Sequence, residues 1–206
     1  YKEMVQALHA AGIGVIMDMV YNHTYEANSS FNKIVPYYYY RYTDAGENTS
    51  ASGCGNDTAS ERYMFRKFMV ESTAYWVKEY KLDGVNIDFE SLDVEVGPYY
   101  IQFLRELAVE CRNAGFILSV DNYVPAEYNA FYDLEEQGRI ADYVIIMGYD
   151  EHYVGSEAGS VASLSFVSDA AKNTLAKVPA ERVIMAVPFY TRLWKETKQT
   201  DGSVSL

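Results

Sequence analysis

An alternation constrains this chain more than any other feature. Strand-sized apolar runs recur five times, at residues 15–20, 84–89, 116–124, 143–149 and 183–189. Helical patterns stand before and between them, at 2–11, 61–80, 98–113, 126–137 and 166–176. Gly12 closes the first helix and Pro98 opens the third, where its missing N–H costs nothing. Strands that alternate with helices pair in parallel, through right-handed crossovers. The expected fold class is therefore α/β, with about five parallel strands and intervening helices.

Several of these runs end in polar side chains: Asp18 and Asn22, Asp88 and Glu90, Asp121 and Asn122, Tyr149 and Asp150, Tyr190 and Arg192. Function at the carboxyl ends of strands fits either a (β/α)8 barrel or an open sheet. A nucleotide site is disfavoured, because no glycine-rich phosphate loop follows any strand. Acidic residues number 29 against 17 basic ones, a net charge of −12, which would repel a phosphate backbone. No nucleic-acid partner is expected. No apolar run is long enough to span a bilayer, so no membrane partner is expected either. Cys54 and Cys111 form no disulfide framework and indicate no redox compartment. His9, His23 and His152 are scattered, and Asp150-Glu151-His152 lacks ligand spacing, so neither metal nor cofactor is expected. Tyr1 falls at the start of a helical pattern, and both ends read as cut, which predicts a piece of a longer protein.

The segment 21–60 is long, polar and rich in Asn, Ser, Thr and Gly. Loops of that length are usually functional. It holds Tyr37-Tyr38-Tyr39-Tyr40, part of a set of 20 tyrosines. A tyrosine face suits a sugar ring, but packing beneath a long loop is the plainer reading.

The strongest chemical signal is Asp83-Gly84-Val85-Asn86-Ile87-Asp88-Phe89-Glu90. Side chains alternate along a strand, so Asn86, Asp88 and Glu90 share one face and Val85, Ile87 and Phe89 the other. The two acids are spaced roughly 6–7 Å apart at Cα. Like charges that close push one carboxyl to a higher pKa, and a carboxyl still protonated near neutrality can act as a general acid.

This octapeptide resembles the D-G-x-D-x-D-x-E motif of family 18 glycoside hydrolases, the chitinase-like enzymes. Met147-Gly148-Tyr149-Asp150 resembles that family's M-x-Y-D strand end, and Pro188-Phe189-Tyr190-Thr191-Arg192 its P-x-Y-x-R strand end. The region 83–200 looks most like the branch that lyses spore cortex and cell wall. The resemblance implies substrate-assisted, retaining hydrolysis beside N-acetylated sugars of chitin or peptidoglycan type. Glu90 would protonate the leaving oxygen, Asp88 would orient the acetamido group that attacks the anomeric carbon, and Tyr149 would hydrogen-bond its carbonyl. Asp150, Tyr190 and Arg192, with Met147 beside them, would hold sugar hydroxyls or shape the cleft. Asn86 stands where the family often has Asp; it cannot share a proton with Asp88, but it can hydrogen-bond it.

Residues 1–83 resemble a different family. Asp18-Met19-Val20-Tyr21-Asn22-His23 looks like the D-x-V-x-N-H motif of family 13 glycoside hydrolases, and the following stretch is similar to type I pullulanases. That resemblance implies sugar contacts from Asp18, Asn22 and His23. Asp88 falls at that family's nucleophile position, but Asn86 replaces its Arg, and no later general-acid or His-Asp strand follows. Debranching of α-1,6 linkages is thus the weaker alternative, beside an inactive carbohydrate-binding fragment. The expectation is one partial barrel, its third to seventh strands, with halves 1–83 and 84–206 joined near residues 81–84. Two open sheet edges would invite self-association.

Overall fold

The computed structural model describes residues 1–26, 28–195, 197–198 and 204–205. Most of the polar end read over 200–206 lies outside them. The elements run α1 (Lys2–Ala10), β1 (Ile16–Met19), β2 (His23–Thr24), α2 (Ser30–Ile34), β3 (Asn56–Asp57), α3 (Tyr63–Tyr80), β4 (Gly84–Ile87) and α4 (Gly97–Ala114). Then come β5 (Ile117–Tyr123), α5 (Leu134–Ile140), β6 (Tyr143–Met147), α6 (Leu164–Leu175), β7 (Val183–Ala186), β8 (Thr197–Lys198) and β9 (Val204–Ser205).

One parallel sheet carries the order β1-β4-β5-β6-β7. Its strands lie side by side in chain order, with no point where the order reverses. That is the winding of a (β/α)8 barrel, and the sheet is a five-stranded part of one. The register sets Asp18 beside Asn86 and Asn86 beside Ser119. Farther along, Asp121 lies beside Ile145 and Tyr123 beside Met147. One face of the sheet therefore carries the polar row. The other carries Val85, Ile87, Leu118, Val120, Val144 and Ile146, all buried against the helix layer in one apolar core. Burial of each such side chain is worth about 1.5–3 kcal/mol, which makes this face the main source of stability.

Two aspartates tie strands at their amino ends. Asp83 accepts from the Val15 N–H at 2.6 Å and from His9 Nε2 at 2.9 Å, which holds its carboxyl below the usual range. Asp142 accepts from the Leu118 N–H at 2.9 Å. Gly84 is required between them: a Cβ there would lie 2.5 Å from the Ile117 carbonyl oxygen.

Three expectations change. The strand read over 84–89 ends at Ile87, so Asp88 and Glu90 stand on the loop beyond it. The helix read over 126–137 is a 3-10 turn, Glu127–Tyr132, followed by α5. Asp133 separates them at φ 51° and caps α5 through the Glu136 N–H. The long segment 21–60 is not a bare loop, because β2 and β3 pair antiparallel across it and α2 sits between them.

Its tyrosines are mostly structural. Tyr40 is fully buried, donating to Ser29 Oγ at 2.6 Å and accepting from Thr24 Oγ1 at 3.0 Å. Tyr39 packs on Phe31 and Phe65. The Arg62 guanidinium lies over the Tyr38 ring. Tyr37 alone of the four is well exposed.

Candidate active site

The polar face converges on Asn86, whose side chain is buried. Its Nδ2 donates to Asp18 Oδ1 at 2.9 Å and to Asp121 Oδ2 at 2.7 Å, and its Oδ1 accepts from Ser119 Oγ at 2.8 Å. The amide is thus committed to three partners on two neighbouring strands. The expected hydrogen bond to Asp88 is absent among the described residues, because both Asn86 N–H groups are already taken. Asp88 Oδ1 is buried without a partner.

Burial pushes the Asp88 carboxyl up to about 7, helped by the charges of Glu90, Asp121 and Asp18. Burial likewise raises Asp121 to about 6, against the lowering effect of the Asn86 hydrogen bond. Around neutral pH this cluster therefore retains protons that solvated carboxyls would have released.

Glu90 is half-buried, and its backbone is gripped from two directions. Asn22 Nδ2 donates to the Glu90 carbonyl at 2.8 Å. The Tyr132 hydroxyl donates to the Phe89 carbonyl at 2.9 Å and accepts from the Leu92 N–H at 3.2 Å. Phe89 itself stacks between Tyr100 and Phe103, with centroids at 5.5 and 5.7 Å. Ser91 follows at φ 54°, a left-handed conformation costly for a residue with a Cβ. A strained turn held this firmly fixes the backbone that carries Glu90.

The other expected residues fall into two groups. Tyr149 and Asp150 follow β6, and Tyr190 and Arg192 follow β7. Asp150 Oδ1 accepts from the Tyr190 hydroxyl at 2.6 Å and from Arg192. Burial opposes its ionisation, but these bonds outweigh that and hold it below the usual range. The Tyr149 and Tyr190 rings meet edge to face at 6.3 Å. Burial raises the Tyr149 phenol to about 12, and the carboxylates of Asp121, Glu90 and Asp88 add to it. Tyr149 therefore bridges the rim and the acid cluster. Met147 is buried at the end of β6.

Asp18 is exposed and belongs to the Asn86 network. Asn22, expected at a sugar contact, is buried: its Nδ2 donates to the Glu90 carbonyl and its Oδ1 meets His23 Nδ1 at 3.1 Å. His23 lies on β2, opposite Asp57.

Asp121, Tyr123 and Tyr132 were not among the expected site residues. Alternation along β5 would have found the first two, since Ser119, Asp121 and Tyr123 share a face. Asn122 points the other way and exchanges two hydrogen bonds, at 2.7 and 2.9 Å, with buried Gln137 of α5. Tyr132 has no such signal, because its role depends on a turn that periodicity did not resolve. Among the described residues no group of three or more His, Cys, Asp or Glu is arranged to hold a metal ion.

A part-barrel with a proton-retaining carboxyl cluster at the carboxyl ends of its strands is an arrangement suited to general acid–base chemistry. Comparison with known proteins makes this specific: the sequence model for glycosyl hydrolases family 18 matches residues 55–205. The chain belongs to that family. It is 31% identical over 158 residues to the uncharacterized glycosylase YvbX of Bacillus subtilis, covering 73% of this chain and 43% of YvbX. It is also 39% identical over 113 residues to a pullulanase of the same organism, covering 54% of this chain and 15% of that protein. The chain thus spans less than half of either relative. Among solved structures, a chitinase from Chromobacterium violaceum superposes with a TM-score of 0.69 at 20% identity, covering 91% of this chain and 53% of the chitinase.

Proposed function

We propose that this chain is the catalytic portion of a retaining glycosidase acting on N-acetylglucosamine-containing polysaccharide of chitin or peptidoglycan type. The observation that carries the reading is the pairing of Glu90, on a clamped strained turn, with Asp88, whose buried oxygen has no protein partner. A buried oxygen without a partner needs one, and the N–H of a substrate acetamido group would supply it.

In this reading Glu90 gives its proton to the glycosidic oxygen as the anomeric C–O bond breaks. The substrate's acetamido carbonyl oxygen bonds to the anomeric carbon, giving an oxazolinium ion. Asp88 holds the acetamido N–H, and the Tyr149 hydroxyl donates to the carbonyl oxygen. Water then opens the ion and returns a proton to Glu90. Asp150, Tyr190 and Arg192 form the cleft rim that meets the sugar hydroxyls.

The test compares the chain with Glu90→Gln on chitin oligomers and peptidoglycan fragments. The reading expects a rate loss of about 10²–10⁴ with sugar binding retained. Equal rates would reject it. Release of linear chains from pullulan would revive the debranching alternative. The exposed edges at β1 and β7 suit pairing with a second copy, which sedimentation at several concentrations would register.

A further inference from the structure

We propose that Asp121 is a positioning residue of this active site, holding through Asn86 the frame against which Asp88 works. The inference rests on the glycosidase reading for its purpose and on the hydrogen-bond geometry for its content.

Asn86 lies on β4 between two acids of neighbouring strands, Asp18 of β1 and Asp121 of β5, and gives a short hydrogen bond to each. Ser119 fixes the other end of the amide, so it cannot turn over without losing all three bonds. Position 86 carries an amide, where the resembled motif often has an acid, and the acid stands one strand away. Its hydrogen bond to Asn86 holds Asp121 against the face of β4 that leads into Asp88, two residues on. An amide alone could orient neighbours but could not place negative charge near Asp88; Asp121 does.

Among the described residues the ionisable groups that act on Asp88, or on which it acts, are all acids or phenols: Asp18 from β1, Glu90 from its own loop, Asp121 from β5, Tyr132 from the 3-10 turn, Tyr100 from α4 and Tyr149 beyond β6. Asp121 adds to the charge that keeps a proton on Asp88. It does so across space, since among the described residues its side chain bonds to Asn86 and Asp88 Oδ1 has no hydrogen-bond partner.

The experiment titrates the Asp88 carboxyl by carbon NMR in the whole chain without substrate, for the natural sequence, Asp121→Asn, and the exchange Asn86→Asp with Asp121→Asn. Removing the Asp121 charge is expected to lower the Asp88 midpoint by about one pH unit. The exchange is expected to bring it back, because the charge returns at position 86. The limb of the pH–rate profile set by Asp88 moves by the same amount in each variant. An Asp88 midpoint unchanged in Asp121→Asn overturns the proposal, as does an exchange that leaves it at the single variant's value. Asp121→Ala reads the same midpoint should the amide variant fail to fold. A chain without turnover on N-acetylglucosamine polymers would count against the glycosidase reading alone, since the titration needs no substrate.

Discussion

The Asn22 side chain donates a 2.8 Å hydrogen bond to the backbone carbonyl of Glu90. These residues belong to the two motifs, Asp18 to His23 and Asp83 to Glu90, that carry different family resemblances. One resemblance assigns Asn22 to sugar binding and the other makes Glu90 the acid. In the folded chain the first residue supports the second. Both motifs end strands of the same sheet, at neighbouring positions in β1 and β4.

Asn22→Ala should therefore cost activity without removing any group that touches substrate. The Glu90 carbonyl loses its donor and the turn loosens. The expected stability loss is about 1 kcal/mol by urea unfolding. The expected loss in kcat is roughly tenfold or more, since small misplacements of a reacting group are expensive. A variant with unchanged kcat would show that Tyr132 alone fixes the turn.

Gly84→Ala tests the seating of β4. The added methyl would meet the Ile117 carbonyl oxygen at 2.5 Å, and backbone there cannot yield without moving the β4–β5 ladder. A destabilisation of about 1–3 kcal/mol is expected, read as a lower urea midpoint. Because β4 carries Asn86 and leads into Asp88, activity should fall with it. Unaltered stability would mean that the strands separate more easily than their register implies.

Arg192→Ala tests the rim. Arg192 and Tyr190 both bind Asp150 Oδ1, and Asp150 sits at φ 56°. In the proposed reading the group shapes the cleft without touching the bond that breaks, so its loss should raise KM and leave kcat nearly as it was. Steady-state kinetics on soluble chitin oligomers would register the split; a fall in kcat at constant KM would place Arg192 closer to the chemistry.

The main sheet was legible because its strands are apolar on the outer face and separated by helices of clear period. Val85, Ile87, Val120 and Val144 announce themselves. The polar row at Asn86 was legible by alternation, and its family likeness by motif. What escaped was tertiary. Nothing in the order of residues says that Asn86 spends its amide on Asp18 and Asp121 rather than on Asp88. Segment 21–60 escaped for another reason: two-residue strands and a five-residue helix are too short to show a period. Tyr40 and Asn22 are buried there by contacts distant in sequence.

The acid cluster should also leave a mark on stability against pH. Asp88 and Asp121 hold their protons to about 7 and about 6 in the folded chain, against an ordinary 3.8. As pH rises from about 4 to about 7, the unfolded chain releases these protons first. The folded state then binds more protons than the unfolded state, so their contribution to stability falls across that window and is flat above it. Asp83 and Asp150 run the opposite way, contributing above the ordinary carboxyl range and losing that contribution as acid protonates them. Asp88→Asn removes the Asp88 share of the first effect while keeping the shape of the side chain. Relative to the natural sequence it should gain little at pH 4.5 and about 1–2 kcal/mol at pH 8, after discounting for solvent screening of a partly exposed group. Urea unfolding at pH 4.5, 6 and 8 measures the difference, and a gain that did not grow with pH would show that Asp88 titrates as an ordinary carboxyl. The same substitution removes the group that would hold the acetamido N–H in an orientation fit for attack, so the more stable variant should be the slower one.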